Sequence, residues 1–295
     1  MHNESDIAVR GLSENGNVRV MACVTTGLTN EMQRRHHTWP VATAALGRTS
    51  SIAAMMGLLL KGNERITIQV KGDGPLGAIS VDANSQGEVR GYVENPFVDL
   101  ALNHKGKLDV GGGVGQGMLY VIRDQGLKDY YRGSSELQSG EIADDFTYYF
   151  AISEQTPSSV GAGVLVDTDN SVITSGGFIV QLMPGATEDD VQELEDRLAN
   201  LDSVTDLLKT GLGVVDLLQR VVPDARVLET RQLSFHCSCS RERLQTVLKS
   251  LGEVELRSMM DDPGFAEATC HFCGEVYLFP REELEELAQP AGTVE

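Results

Sequence analysis

Between 66 and 70, Ile66, Ile68 and Val70 alternate with Thr67 and Gln69, the period of a half-buried strand. The turn Gly72-Asp73-Gly74-Pro75 follows, then an apolar run at 76–83, a turn at 83–87 and a second run at 88–93. This spacing predicts a hairpin-rich meander. Further strands are predicted at 18–24, 118–122, 160–166 and 178–183. One stretch breaks the pattern: 41–60 is rich in Ala, Leu and Met and predicts a long helix buried against the sheet. Its Thr43, Arg48, Thr49, Ser50 and Ser51 argue against a membrane span.

The pattern changes at Pro184-Gly185. Thr187 is a good helix cap, with Asp190 three residues on in a near capping box. Val191, Leu194, Leu198 and Leu201 then recur at helical spacing. Ser203 caps a helix carrying Leu207 and Leu208, stopped by Gly211. Val214, Val215, Leu218, Val221 and Val222 form a further apolar face before Pro223. Residues 184–230 therefore read as short amphipathic helices, which must pack on something to be stable. From 231 a small module begins. Ser240 caps a helix with Leu244, Val247, Leu248 and Leu251 inward and Gly252 as its stop; a strand is expected at 275–279 and a charged helix from Pro280.

Charge narrows the function classes. There are 24 Lys and Arg against 43 Asp and Glu, a net charge of −19. Phosphate backbones reward clustered cations, so general nucleic-acid or anionic-membrane binding is not expected. Residues 1–6 are polar, without the basic start and apolar core of a signal peptide, and a cytoplasmic location is expected.

Cysteine placement carries the chemistry. Cys23 stands alone and reads as a packed thiol in a strand. The other four form two close pairs, Cys237-Ser-Cys239 and Cys270-His-Phe-Cys273, separated by residues 240–269. Two such pairs can offer four thiolates to one tetrahedral Zn²⁺, and Gly274 follows the second pair, where a tight turn can aim N–H groups at the sulfurs. A module with so few large apolar side chains usually needs a metal staple.

The rival readings are a Cys-x-x-Cys oxidoreductase and a nucleic-acid zinc ribbon. The oxidoreductase motif opens a helix, whereas Cys273 runs into a strand-like Gly-Glu-Val-Tyr-Leu-Phe. The ribbon needs net positive charge. Residues 231–281 hold six Lys and Arg against seven Asp and Glu, a balance of −1 before any thiolate is counted. His236 and His271 flank the cysteines and are expected to support the site or face solvent. The segment Gly111-Gly-Gly-Val-Gly-Gln-Gly117 lacks a following Lys-Ser/Thr and reads as a flexible turn rather than a phosphate loop. Arg34-Arg35-His36-His37 reads as a solvated basic spot. No catalytic motif is found, and the chain is not expected to be an enzyme.

C-x-C, a spacer near 30 residues and C-x-x-C at the end of a chain this long resembles the bacterial redox-regulated heat-shock holdase, the thirty-three-kilodalton chaperonin family. The likeness extends through Glu31-Met-Gln-Arg-Arg-His36, Thr38-Trp-Pro40, Ala45-Leu-Gly-Arg48, Gly74-Pro-Leu-Gly77 with Asp82-Ala83, and Asp144-Asp-Phe-Thr-Tyr148. Pro157-Ser-Ser-Val160, Gly176-Gly-Phe-Ile179 and Gln181-Leu-Met-Pro-Gly185 continue it.

The resemblance implies an α+β fold: a mixed sheet core with a buried helix at 1–183, an amphipathic helical linker at 184–230 and a zinc-binding redox-switch domain at 231–295. It implies an ATP-independent chaperone, inactive when reduced and bound to one Zn²⁺ through Cys237, Cys239, Cys270 and Cys273. Peroxide or hypochlorite, with unfolding conditions, would activate it. Oxidation is expected to join Cys237 with Cys239 and Cys270 with Cys273, since short loops close most readily, although C-x-C rings are strained. Cys23 is expected to stay a free thiol. Val191, Leu194, Leu198, Leu207, Leu208, Val214 and Leu218 are the expected surface for unfolded or oxidatively damaged clients, and self-association on oxidation is expected. A catalytic thiol oxidoreductase and a zinc-stabilised scaffold without a switch remain alternatives.

Overall fold

Two strands open the chain, β1 (Ile7–Leu12) and β2 (Val18–Val24), followed by helices α1 (Thr26–His36) and α2 (Pro40–Gly57). The structure is a computed structural model that describes residues 6–127, 129–261 and 264–288. The meander comes next as β3 (Arg65–Gly72), β4 (Ala78–Asn84) and β5 (Glu88–Val93), then α3 (Val110–Val114), β6 (Gly117–Asp124) and β7 (Tyr131–Glu136). After α4 (Ala143–Ile152), a long hairpin is formed by β8 (Ser158–Val166) and β9 (Val172–Leu182). Three short helices, α5 (Glu188–Ala199), α6 (Val204–Lys209) and α7 (Val214–Val221), lead to β10 (Arg226–Gln232) and β11 (Ser234–Phe235). The described residues end with α8 (Arg241–Leu251), α9 (Glu253–Asp261), β12 (Phe265–Thr269), β13 (Val276–Pro280) and α10 (Arg281–Ala288). The protein is α+β, and it divides into two units, 1–236 and 237–295.

In the first unit α2 is packed by strands of both sheets, ordered β10-β1-β2-β9-β8 and β11-β5-β4-β3-β6-β7. The first is antiparallel throughout, and the second is antiparallel except where β11 runs parallel to β5. All but two of the α2 residues are buried, which is why the helix reads as apolar on every side. Its hydroxyls are satisfied internally. Thr49 donates to Ala45 O at 2.8 Å and Ser51 to Gly47 O at 2.9 Å, while Thr25 and Ser51 Oγ lie 2.7 Å apart. Arg48, one of the two exceptions, pairs with Glu141 at 2.6 Å.

The first sheet is covered on both faces. In β2, Met21 and Cys23 pack towards α2, whereas Val20 and Ala22 pack in a second apolar cluster with α6 and α7. Gly163 and Gly176 let α6 approach: a Cβ there would lie 2.8 Å from Thr205 Cγ2 and 2.8 Å from Leu208 Cδ1 respectively.

Several expectations change. The stretch expected to be helical to residue 230 ends its last helix at Val221, and 226–232 form an edge strand on β1. The glycine segment at 111–117 begins inside a short helix, α3, whose Asp109 cap accepts from Gly112 N at 3.0 Å, and ends at the start of β6. In α7 the buried stripe is Val214, Leu217, Leu218 and Val221, and Val215 is 40% exposed. In α8 only Leu248 is buried, with Leu244 partly covered, while Val247 and Leu251 face out. The basic spot at 34–37 is at the surface as expected, and there Arg34 and Arg35 both pair with Glu31.

Candidate metal centre

The second unit builds its cysteine positions from two local structures. Cys237 and Cys239 lie in an irregular segment ending at Ser240, whose hydroxyl accepts from Arg243 N and caps α8. Cys270 and Cys273 sit in the turn of the β12–β13 hairpin. That turn closes through Cys270 N to Glu275 O at 2.9 Å and Gly274 N to Cys270 O at 2.8 Å. Gly274 has φ 72°, a left-handed conformation that a side chain would strain.

These two structures bring the four sulfurs within 4.8 Å of one another. Cys237 and Cys270 Sγ are 3.7 Å apart, and Cys239 and Cys273 Sγ are 3.3 Å apart. Thiolates about 2.3 Å from a tetrahedral ion stand about 3.8 Å from one another, so the spacing fits four-sulfur coordination. His236 and His271 are exposed and lie outside the cluster.

The surroundings act on the thiols in both directions, with burial the larger effect. Backbone N–H groups of Cys273 and Phe272 point at Cys270, and that of Glu275 at Cys273; each lowers the sulfur's pKa. Burial acts more strongly the other way and pushes both thiols up, and the neighbouring sulfurs add to the rise. Four sulfurs held this close are therefore costly as four anions and favourable around a cation. Tyr277 adds a contact that the cysteine spacing does not announce: its hydroxyl lies 3.4 Å from Cys239 Sγ. The contact with Cys239, then burial, raises the Tyr277 pKa and keeps its proton available to a thiolate.

The module's own core is small: Leu248, Leu256, Met260, Ala266, Phe279, Leu284 and Leu287. Arg241 lies over the Phe279 ring at 4.6 Å and pairs with Glu283. Cys23 is apart from this chemistry. It is buried in β2, donates to Ser51 O at 3.5 Å and is pushed up to about 12 by burial.

The helices at 187–221 carry the other named residues. Leu207, Leu208, Val214 and Leu218 are buried against the first sheet. Leu194 and Leu198 are partly covered by the same cluster, and Val191 is half-buried. Among the described residues, no helix is long and apolar enough to cross a membrane.

Comparisons with known proteins agree over nearly the whole length. The family model of the Hsp33 protein matches residues 6–280. A 33 kDa chaperonin from Geobacillus kaustophilus is 52% identical over 289 residues, covering 97% of this chain and 98% of that protein. A 33 kDa chaperonin from Bacillus subtilis is 49% identical over 284 residues, covering 96% and 98%. The crystal structure of the 33 kDa chaperonin (heat shock protein 33 homolog) of Thermotoga maritima is similar with a TM-score of 0.91 at 38% identity, over 97% of this chain and 98% of that one.

Proposed function

Because the chain belongs to the Hsp33 family, we propose that it is a redox-regulated, ATP-independent holdase that keeps unfolding and oxidatively damaged proteins from aggregating. The gathering of four cysteine sulfurs within 4.8 Å, in a unit with few core residues of its own, carries this reading.

Cys237, Cys239, Cys270 and Cys273 would hold one Zn²⁺, which when bound keeps the sulfurs as thiolates and staples the module. In each pair, one thiolate attacks peroxide and becomes a sulfenic acid; the second displaces hydroxide and forms the disulfide. Each thiolate pair gives two electrons to the peroxide, which with two protons leaves as two water molecules. Cys237 pairs with Cys239 and Cys270 with Cys273. A disulfide sulfur is a poor ligand, so the staple is lost and 237–288 unfold.

The module continues directly from β11, so its unfolding frees the chain beyond that strand, which stays paired with β5. The linker helices then loosen from the first sheet. Val191, Leu194, Leu198, Leu207, Leu208, Val214 and Leu218 become available to clients and to a second copy of the chain. Each large apolar side chain among them offers roughly 1.5–3 kcal/mol of burial. The division into core 1–183, linker 184–230 and switch domain 231–295 is part of this proposal, as is action in the cytoplasm without nucleic acid or membrane.

The test measures zinc content and aggregation suppression before and after peroxide with mild heat. Zinc is expected to leave as suppression appears. Equal suppression before and after oxidation would favour a static scaffold, and turnover of a disulfide substrate would favour an oxidoreductase.

A further inference from the structure

Past the C-terminal end of α2, the core-facing positions of both sheets turn from apolar to basic. In β1 the alternation that buries Ala8 against α2 also directs Arg10 inward; in β2 Met21 and Arg19 share that face, and in β6 so do Val121 and Arg123. Arg10, Arg19, Arg123 and Arg231 line one cavity of about 700 Å³ within the first unit, together with the exposed Lys61. A volume of that size suits a small ligand rather than a few waters.

The charges in this cavity do not balance. Five cations face two carboxylates, Glu154 and Glu229, a local excess of +3 in a chain of net −19. Both carboxylates are already shared. Glu229 accepts from Arg10 at 2.9 Å and from Arg231, and Glu154 from Arg123 at 2.9 Å and from Tyr149 at 2.7 Å. Among the described residues Arg19 has no carboxylate; it donates only to Gln181 Oε1, at 2.7 and 3.1 Å. The Nε atoms of Arg10 and Arg123 are buried without an acceptor. Burial, then Arg10 and Arg123, hold Arg19 below the usual arginine range, so a counter-anion would relieve it. The carbonyl end of α2 opposes an anion weakly, and three of its terminal carbonyls are occupied by Leu58, Leu59 and Leu60 N–H groups.

We propose that this cavity binds a small anion bearing two or more phosphoryl charges. Guanidinium groups converging from two sheets match tetrahedrally spread oxygens, and the excess of +3 calls for a polyvalent ligand.

The probe is inorganic pyrophosphate, titrated into the reduced, metal-loaded full chain with metal retention checked. Calorimetry and the arginine Nε–Hε resonances are the readouts. A saturable one-to-one isotherm is expected, with shifts of the Arg10 and Arg123 resonances. Orthophosphate and malonate are expected to bind more weakly. Arg19→Gln should weaken pyrophosphate about ten-fold or more, the effect of one lost charge-assisted contact, while Arg19→Lys should retain most of the binding. If Arg19→Gln fails to fold, Arg123→Gln takes its place. The proposal fails if chloride at equal ionic strength reproduces the shifts, if malonate binds as tightly, or if neither neutralising variant changes the affinity.

Discussion

Around α2, forty buried apolar residues among those described form one continuous core, whereas the residues beyond 236 share seven. The first unit closes by burial: two sheets, a helix apolar on every side and hydroxyls satisfied within it. The second has a two-stranded hairpin, three short helices and a four-sulfur cluster. The same chain thus contains one part stable through hydrophobic packing and one part too small for it. A device that must come apart on a chemical signal is better made from the second kind. Under the proposed function, its order would depend on a few sulfur–metal bonds that an oxidant can reach, while the core would stay intact.

The sharpest way to break this contrast is to remove one sulfur. Cys273→Ser is expected to abolish metal retention and melt the second unit, since structural zinc supplies on the order of 10 kcal/mol of folding free energy. Hydrogen exchange should show protection lost across 241–288 and kept in β2, β3 and β9. If the second unit stayed protected without metal, its small core would suffice and the contrast would collapse.

A core cut in the first unit should do the reverse. Leu217 is fully buried on the inward face of α7, and Leu217→Ala is expected to cost about 2–5 kcal/mol through lost burial and the cavity left behind. Denaturant melting should show this loss with zinc content unchanged. Under the proposed function, aggregation suppression should also appear without oxidant. A destabilised but inactive variant would move the client surface away from the linker.

The smallest effect concerns α5. Asp190 forms the capping box with Thr187 and accepts from Asn15 and Asn17, both at 2.8 Å. The hydrogen bonds to Thr187, followed by those from the two asparagines, lower its pKa from 3.8 to about 2. Because the folded pKa is depressed, this anchor is at full strength above pH 3.8 and is lost as pH falls towards 2. Amide shifts of α5 should change in that window while those of α2 hold still. If α5 shows no change there, or if Asp190→Asn changes nothing at pH 7, the anchor carries no weight.

How much of this was legible follows from where each signal resides. The α2 run and the β3–β5 meander declare themselves because burial imposes a local period. The four cysteines are legible because they fall in two close pairs along the chain. Helix α1 was not read. It carries no side-chain cap of its own and is capped from a distance by Asp6, whose carboxylate takes the N–H groups of Gly27 and Leu28. Strand β10 was missed because it is an edge strand, largely exposed, with no apolar alternation to see. Tyr277 and the arginine cavity depend on residues far apart in sequence, which only the fold brings together.

The pairing of β10 with β1 has one more consequence. Both ends of the helical segment are fastened to the same sheet, by β9 before it and β10 after it. Helices that leave the sheet surface therefore remain tethered as a closed loop, held near their seat at a high effective concentration. While β10 stays paired, return needs no search and depends little on protein concentration. Under the proposed function, release of a client would be followed by spontaneous resetting, and damage that detaches β10 would turn a reversible excursion into an irreversible one.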